Sequence, residues 1–362
     1  MKKFNLLEIL KGQKFWHEIT RYLLIFFVAI LASSVFILFQ GKNPIFALYI
    51  LLREALLNKY GILRTIRWAT PEIISGLAGA VSFRAGVFNI GLEGQLYFGG
   101  LAAAIVGYSI TNLPAYIHIP VCLLAGAIAG GLFVALPAFL LLYYGINEIV
   151  STLMLNYIAI FFCDYLVRNF LMLASYHGGQ VPSVPNEVAT PEIANSARLP
   201  YLFGIPSGFL IGLALCIIFF LYYKKTVRGY EADIVGLNKR FAAFSGIPAT
   251  KTAFFAFIIS GMIAGLSGAI EIIGAQHLFR SGFSASFGWD GVLVATIAKS
   301  NPIGVIFAGF FMGALKNGAM ALERATSISR MIVVIIEGIF ILFVTARFTL
   351  KYFVRRKKKE EG

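Results

Sequence analysis

Long apolar runs separated by short polar or basic segments dominate the chain. They fall at about ten places: 21–40, 64–82, 90–109, 117–142, 149–173, 207–223, 252–274, 289–299, 302–323 and 329–347. None alternates with a period of two. Most are about 17 to 26 residues long, which suits a helix crossing a hydrocarbon core of roughly 30 Å. Barrel strands would be about ten residues long and alternating, and lipid leaves no other way to satisfy the backbone. The pattern predicts an all-α fold, a polytopic transmembrane helical bundle of about ten spans with broken or re-entrant helices. The run 289–299 is too short to cross, so 289–323 reads as a half-helix followed by a full one. Residues 44–58 read as an amphipathic interfacial helix.

Composition agrees. Of 362 residues 59% are hydrophobic and 13% charged, whereas a soluble domain carries about a quarter charged residues. The net charge of +14 does not call for nucleic acid, because 17 of the 31 basic residues sit in three blocks at segment ends. These are Lys2, Lys3, Lys11, Lys14 and Arg21; then Lys224, Lys225, Arg228, Lys239, Arg240 and Lys251; then Lys351 and Arg355 to Lys359. Counting crossings from a cytoplasmic N-terminus places all three blocks inside, as the positive-inside rule requires. The expected organisation is one transmembrane domain, 1–362. It has a cytoplasmic N-terminus (1–20), an extracytoplasmic loop (174–206), a cytoplasmic loop (224–251) and a basic cytoplasmic tail (348–362). Lys42, Arg53, Lys59, Arg64 and Arg67 run against this count and would lie at the outer interface. The first run lacks a small-residue cleavage site and reads as a retained helix. Cys122, Cys163 and Cys216 fall inside apolar runs and imply no disulfide framework.

Two features concern packing. Gly126-xxx-Gly130, Gly261-xxx-Gly265 and Gly309-xxx-Gly313 give small faces that let helix backbones approach. The string 74–81 echoes 259–270 on helices of opposite direction, a weak sign of an inverted repeat.

No catalytic constellation stands out. His17, His118, His177 and His277 have no metal-ligand spacing, and there is no Walker loop, so any ATP and Mg²⁺ must be held by a partner and no cofactor is expected here. Four stretches carry what chemistry there is. In Ser82–Gly100, glycines 86, 91 and 94 weaken the helix while Asn89, Glu93 and Gln95 are polar at membrane depth, flanked by Phe88 and Tyr97. This is either a broken helix presenting its ends to a substrate or a cytoplasmic turn with Glu93 in the first turn of the next helix. In Gly145–Phe161, Asn147 is a natural N-cap beside Glu148. Asn156 lies deeper in that run and either bonds a neighbouring helix or lines a pore. Gly229–Lys251 is a charged loop with a short helix-like core, Lys239–Ser245, whose Ala242, Ala243 and Ser245 offer a small face to a soluble partner or are plain connector. In Phe283–Gly304, Trp289 and Asp290 sit at an outer helix start, as anchor and helix-start carboxylate or as ligand contacts.

At these stretches the chain resembles the permease subunits of bacterial nucleoside-type ABC importers, within the group that also moves ribose-type sugars and branched-chain amino acids. The segments are FRAGVFNIGLEGQ, NEIVSTLMLNYIA, GLNKRFAAFSGI with SGMIAGLSGAIEIIG, and FGWDGVLVATIAKSNPIG, in family order over about 64–318. The resemblance implies a subunit that forms half of a translocation pathway by alternating access. Its solute would be nucleoside-like, or riboflavin, a sugar or another small solute. It implies a cytoplasmic ABC ATPase, a second permease subunit, an extracytoplasmic substrate-binding lipoprotein and a bacterial cytoplasmic membrane, with no catalysis in this chain. For such a solute the polar and aromatic residues expected on the pathway are Phe88, Asn89, Glu93, Gln95, Tyr97, Asn147, Asn156, Trp289 and Asp290; in the loop that the resemblance gives to the ATPase contact they are Glu231, Gly236, Asn238, Ala242, Ala243 and Gly246. Asp233 stands where the family pattern has a cation. An ion-coupled secondary transporter is the alternative, with Asp164, Glu271 and Glu337 as its candidate charges; a membrane enzyme would need a His, Asp or Cys cluster not found here.

Overall fold

The computed structural model describes residues 43–171, 189–202 and 204–326, with isolated positions between 31 and 41 and at 338. Most of the expected first span, most of the last span, both terminal segments and much of the 174–206 loop lie outside the described residues. Eleven α-helices are described, and five are long and apolar enough to cross a membrane: Ala115–Tyr144, Glu148–Leu171, Ser207–Lys225, Ala249–Gln276 and Pro302–Ala325.

The chain divides into two compact units, residues 1–61 with 315–362, and residues 62–314. In the first, α1 (Pro44–Leu52) starts on an Asn43 cap that accepts from the amides of Ile45 and Phe46 and ends in a π-turn, Arg53–Leu57. The residues of α1 are apolar on every side, so the expected amphipathic helix is not what forms; its polar residues Arg53 and Glu54 fall in the π-turn. Asn317 Nδ2 donates to the carbonyls of Glu54 and Gly61, each at 2.9 Å, satisfying two groups where the chain leaves that turn.

The second unit holds the rest: α2 (Lys59–Arg84, entering from the first unit), α3 (Leu92–Ser109), α4 (Ala115–Tyr144), α5 (Glu148–Leu166), α6 (Ser207–Lys225), α7 (Val227–Leu237), α8 (Lys239–Phe244), α9 (Ala249–Glu271), α10 (Phe287–Ile297) and the first part of α11 (Pro302–Thr326). The expected half-helix and following full helix appear as α10 and α11, joined by a turn in which Lys299 and Ser300 both take left-handed backbone.

Glycine sets how close α3, α4 and α9 come. A Cβ on Gly99 would lie 2.2 Å from the Gly265 carbonyl, and one on Gly130 2.3 Å from that of Gly261. The small faces read from the sequence are thus contacts within the chain. The echoing strings of α2 and α9 also lie together: Ser260 Oγ donates to the Ala78 carbonyl at 2.7 Å and Ser75 Oγ to Ser267 Oγ at 3.0 Å.

The segment 226–248, expected as a loop with one short helical core, is two helices. Thr226 caps α7 by accepting from the Gly229 amide, and Asn238 caps α8 by accepting from those of Arg240 and Phe241. Ala232 and Val235 are buried on one face of α7, a period the charges around it conceal in the sequence.

Candidate functional site: a broken helix clamped by side chains

The path from α2 to α3 breaks at Ala85–Gly91. Gly86 takes left-handed backbone with φ of +73°. Lipid provides no partners for the backbone groups such a break frees. Here side chains supply them. Asn156 of α5 acts as a substitute peptide group: its Oδ1 accepts from the Gly94 amide at 2.8 Å and its Nδ2 donates to the Ile90 carbonyl at 2.9 Å. One turn earlier Thr152 Oγ1 accepts from the Ile90 amide at 3.3 Å.

Asn89 holds the break from within. Its Nδ2 donates to Gln95 Oε1 and to Ser260 Oγ of α9, both at 2.9 Å. Its Oδ1 accepts from Gln95 Nε2 at 2.9 Å and from the Gly91 amide at 3.0 Å. Asn89, Gln95 and Asn156 are all buried. The three amides expected along the pathway therefore spend their hydrogen bonds on the protein. Of the two readings of Asn156, the geometry is that of a bond between neighbouring elements.

Glu93 is buried in the first turn of α3, and its Oε2 accepts from the Gly288 amide at 2.7 Å. Gly288 belongs to the first turn of α10, so the two helix starts face one another; a Cβ on Gly288 would lie 2.3 Å from the Glu93 nitrogen. A carboxylate there compensates a helix N-terminus directly. Asp290 sits in that same turn of α10, half-buried beside a half-buried Trp289. Tyr97 is buried against Phe279 and Phe283, with ring centroids 6.0 and 4.9 Å away. Asn147 stands apart from this cluster as the exposed cap of α5, accepting from the amides of Ile149 and Val150. Phe88 also opens outward, 49% exposed beside Phe83 at 5.0 Å.

The structure brings in residues the sequence reading passed over. Ser260 and Thr152 complete the clamp, and their only sequence signal is a hydroxyl within an apolar run. On the helix that carries Asn156, the exposed face shows Met154, Tyr157 and Phe161. At the other end, residues 277–286 tie to α5 through Ser281 Oγ, which donates to Asp164 Oδ2 at 2.8 Å. Burial, with the Arg198 guanidinium nearby, lowers the His277 imidazole below its ordinary value. Glu271 pairs with Arg67 and also accepts from Gln276 Nε2 at 3.0 Å. A small pocket lined by Arg67, Thr70, Tyr201, Ser207 and Glu271 includes none of the residues expected on the pathway. Among the described residues no group of His, Cys, Asp and Glu could hold a metal ion.

In the segment 226–248 the residues expected to meet a partner do not all face outward. Ala242 is fully buried with Val87, Val134 and Phe257, so its methyl group is not available to a partner. Ala243 is exposed on α8, and Leu237, Phe241 and Phe244 are exposed at 82%, 58% and 92%. Gly236, Asn238 and Gly246 are exposed and Glu231 half-buried.

A family profile described as the permease component of branched-chain amino acid transport systems matches residues 61–345. The guanosine ABC transporter permease protein NupP of Bacillus subtilis is 34% identical over 83% of this chain and 85% of its own length. A glucose ABC transporter permease protein of Haloferax volcanii is 29% identical over 90% of this chain and 86% of its own. The nucleoside ABC transporter permease protein NupB of Lactococcus lactis is 27% identical over 94% of this chain and 95% of its own. No solved structure matches the chain.

Proposed function

Because the chain belongs to the permease-component family of branched-chain amino acid transport systems, as a multi-pass membrane permease of the ABC importer class, we propose that it carries a nucleoside. It would do so with a cytoplasmic ATPase, a second permease subunit and an extracytoplasmic binding lipoprotein. The observation that carries the substrate class is the character of the broken helix. A nucleoside is neutral, planar at the base and polar at the sugar. Around the break the buried amides are satisfied internally, Glu93 is turned onto a helix start, and Phe88 remains open beside Phe83, while Tyr157 and Phe161 are exposed on the clamping helix. Such walls suit a neutral aromatic solute held weakly, with stacking contacts of about 0.5–1.5 kcal/mol each. Selectivity would rest with the lipoprotein.

The basic segment 224–251 is the cytoplasmic end in this reading, and 189–202 the extracytoplasmic one. The exposed Phe241, Ala243 and Phe244 of α8 form the ATPase contact. The test is uptake of labelled guanosine and labelled glucose by proteoliposomes holding the permease pair, ATPase and lipoprotein. ATP-dependent guanosine uptake supports the proposal. ATP-dependent glucose uptake alone replaces the substrate with a sugar, and uptake driven by an ion gradient without the ATPase overturns the class of partner.

A further inference from the structure

Arg84, the last residue of α2, meets Asp233 of α7 with two nitrogens: Nε on one carboxylate oxygen, and Nη2 on the other at 2.8 Å. Its guanidinium lies 4.1 Å over the ring of Tyr223 at the end of α6. Beside the pair the backbones touch. A Cβ on Gly236 would lie 2.0 Å from the Arg84 carbonyl and 3.2 Å from the Gly86 nitrogen. The first residues of the break are buried with the same elements: Ala85 shares a cluster with Ala232 of α7 and Tyr223 of α6, and Val87 shares one with Val235 of α7 and Ala242 of α8. The end of α2, the start of the break and α7 are thus joined by charge, by backbone approach and by two buried side chains.

The side chains of Arg84 and Asp233 are 28% and 29% exposed. A pair this accessible contributes little to stability. Its two-pronged geometry nevertheless fixes the orientation of one backbone against another, because the planar guanidinium matches a carboxylate in one arrangement. We propose that Arg84 and Asp233 are positioning residues, a strut that makes the broken helix at 85–91 follow α7 and α8 when those helices are displaced. The inference rests on the reading above, in which an ATPase pushes on α8. It also assigns a role to Asp233, the acid standing where the family pattern has a cation.

The test uses the complete importer in proteoliposomes and reads solute transported per ATP hydrolysed. Asp233→Asn and Arg84→Gln should keep assembly and basal hydrolysis while the ratio falls roughly fivefold or more, the usual span of an energetic coupling between sites. The exchange Arg84→Asp with Asp233→Arg should restore most of it. An unchanged ratio in Asp233→Asn overturns the strut. If the single variants fail to assemble, the exchange decides: recovery of assembly and ratio together supports the strut, and recovery of assembly with a low ratio, or no recovery, overturns it. The unsubstituted importer is the control for the underlying reading. If it shows no solute-stimulated hydrolysis, the ATPase assignment fails independently of Arg84.

Discussion

Asn89 of the break and Gln95 of the first turns of α3 join their buried side-chain amides head to head, each donating to the other across 2.9 Å. Asn89 also reaches Ser260, whose hydroxyl holds the Ala78 carbonyl, so one amide connects the break, α3, α9 and α2.

Asn89→Leu is therefore expected to lower the thermal stability of the purified permease. It leaves Gln95, Ser260 and the Gly91 amide short of a partner, at about 1–3 kcal/mol for each buried group so exposed. Fluorescence-detected size exclusion after graded heating measures this. An unshifted melting midpoint with reduced transport would instead place Asn89 on the solute path.

Phe88→Ala should behave in the opposite way. The ring is half exposed and touches Phe83, so folding should be nearly indifferent. Guanosine transport should fall by roughly two- to tenfold, the equivalent of one aromatic contact. Transport rate and melting midpoint measured on the same preparation separate the two effects.

Glu93→Gln retains an acceptor for the Gly288 amide and removes the charge. The expected loss is about 0.3–2 kcal/mol, the interaction of a carboxylate with a helix N-terminus. Glu93→Ala should cost more, since the amide then loses its acceptor as well. The ranking of the two midpoints is the measurement, and equal midpoints would remove Glu93 from this role.

Gly236→Ala should loosen the 226–248 segment, because the new methyl group meets a backbone carbonyl that cannot rotate aside. Trypsin cleavage at Lys224, Lys225 and Arg228 should accelerate. Gly246→Ala is the control. It has open space and only the cost of left-handed backbone at φ of +79°, about 1–2 kcal/mol.

Phe244→Ser tests the partner face. At 92% exposure the ring is open on almost every side, so the permease should fold normally and retain less ATPase on co-purification. Ala242→Ser should damage the permease itself, because that methyl group is buried with Val87 and Phe257. The combination of intact fold and weakened capture belongs only to a contact residue.

Much of the architecture is carried by the order of residues along the chain. Apolar runs must become helices wherever the surroundings offer no hydrogen bonds, so the long helices over 64–323 and the short one before the last of them follow from composition and length. Glycines at 86 and 91 mark where a helix breaks, and Asn147 marks where one begins, because caps and breaks are local chemistry. What the sequence could not assign was the object of each polar group. Asn156 reads the same whether it bonds a solute or the Ile90 carbonyl, and that choice depends on α5 lying against a break 66 positions earlier. Ala242 and Ala243 are adjacent and chemically identical, yet the turn of a short helix buries the first and exposes the second. Asp233, an anomaly when read alone, acquires its meaning from Arg84, 149 positions away. Helix identity is settled by neighbours three or four residues apart, whereas the direction in which a buried amide or carboxylate spends its bonds is settled by whichever distant backbone folding brings within 3 Å.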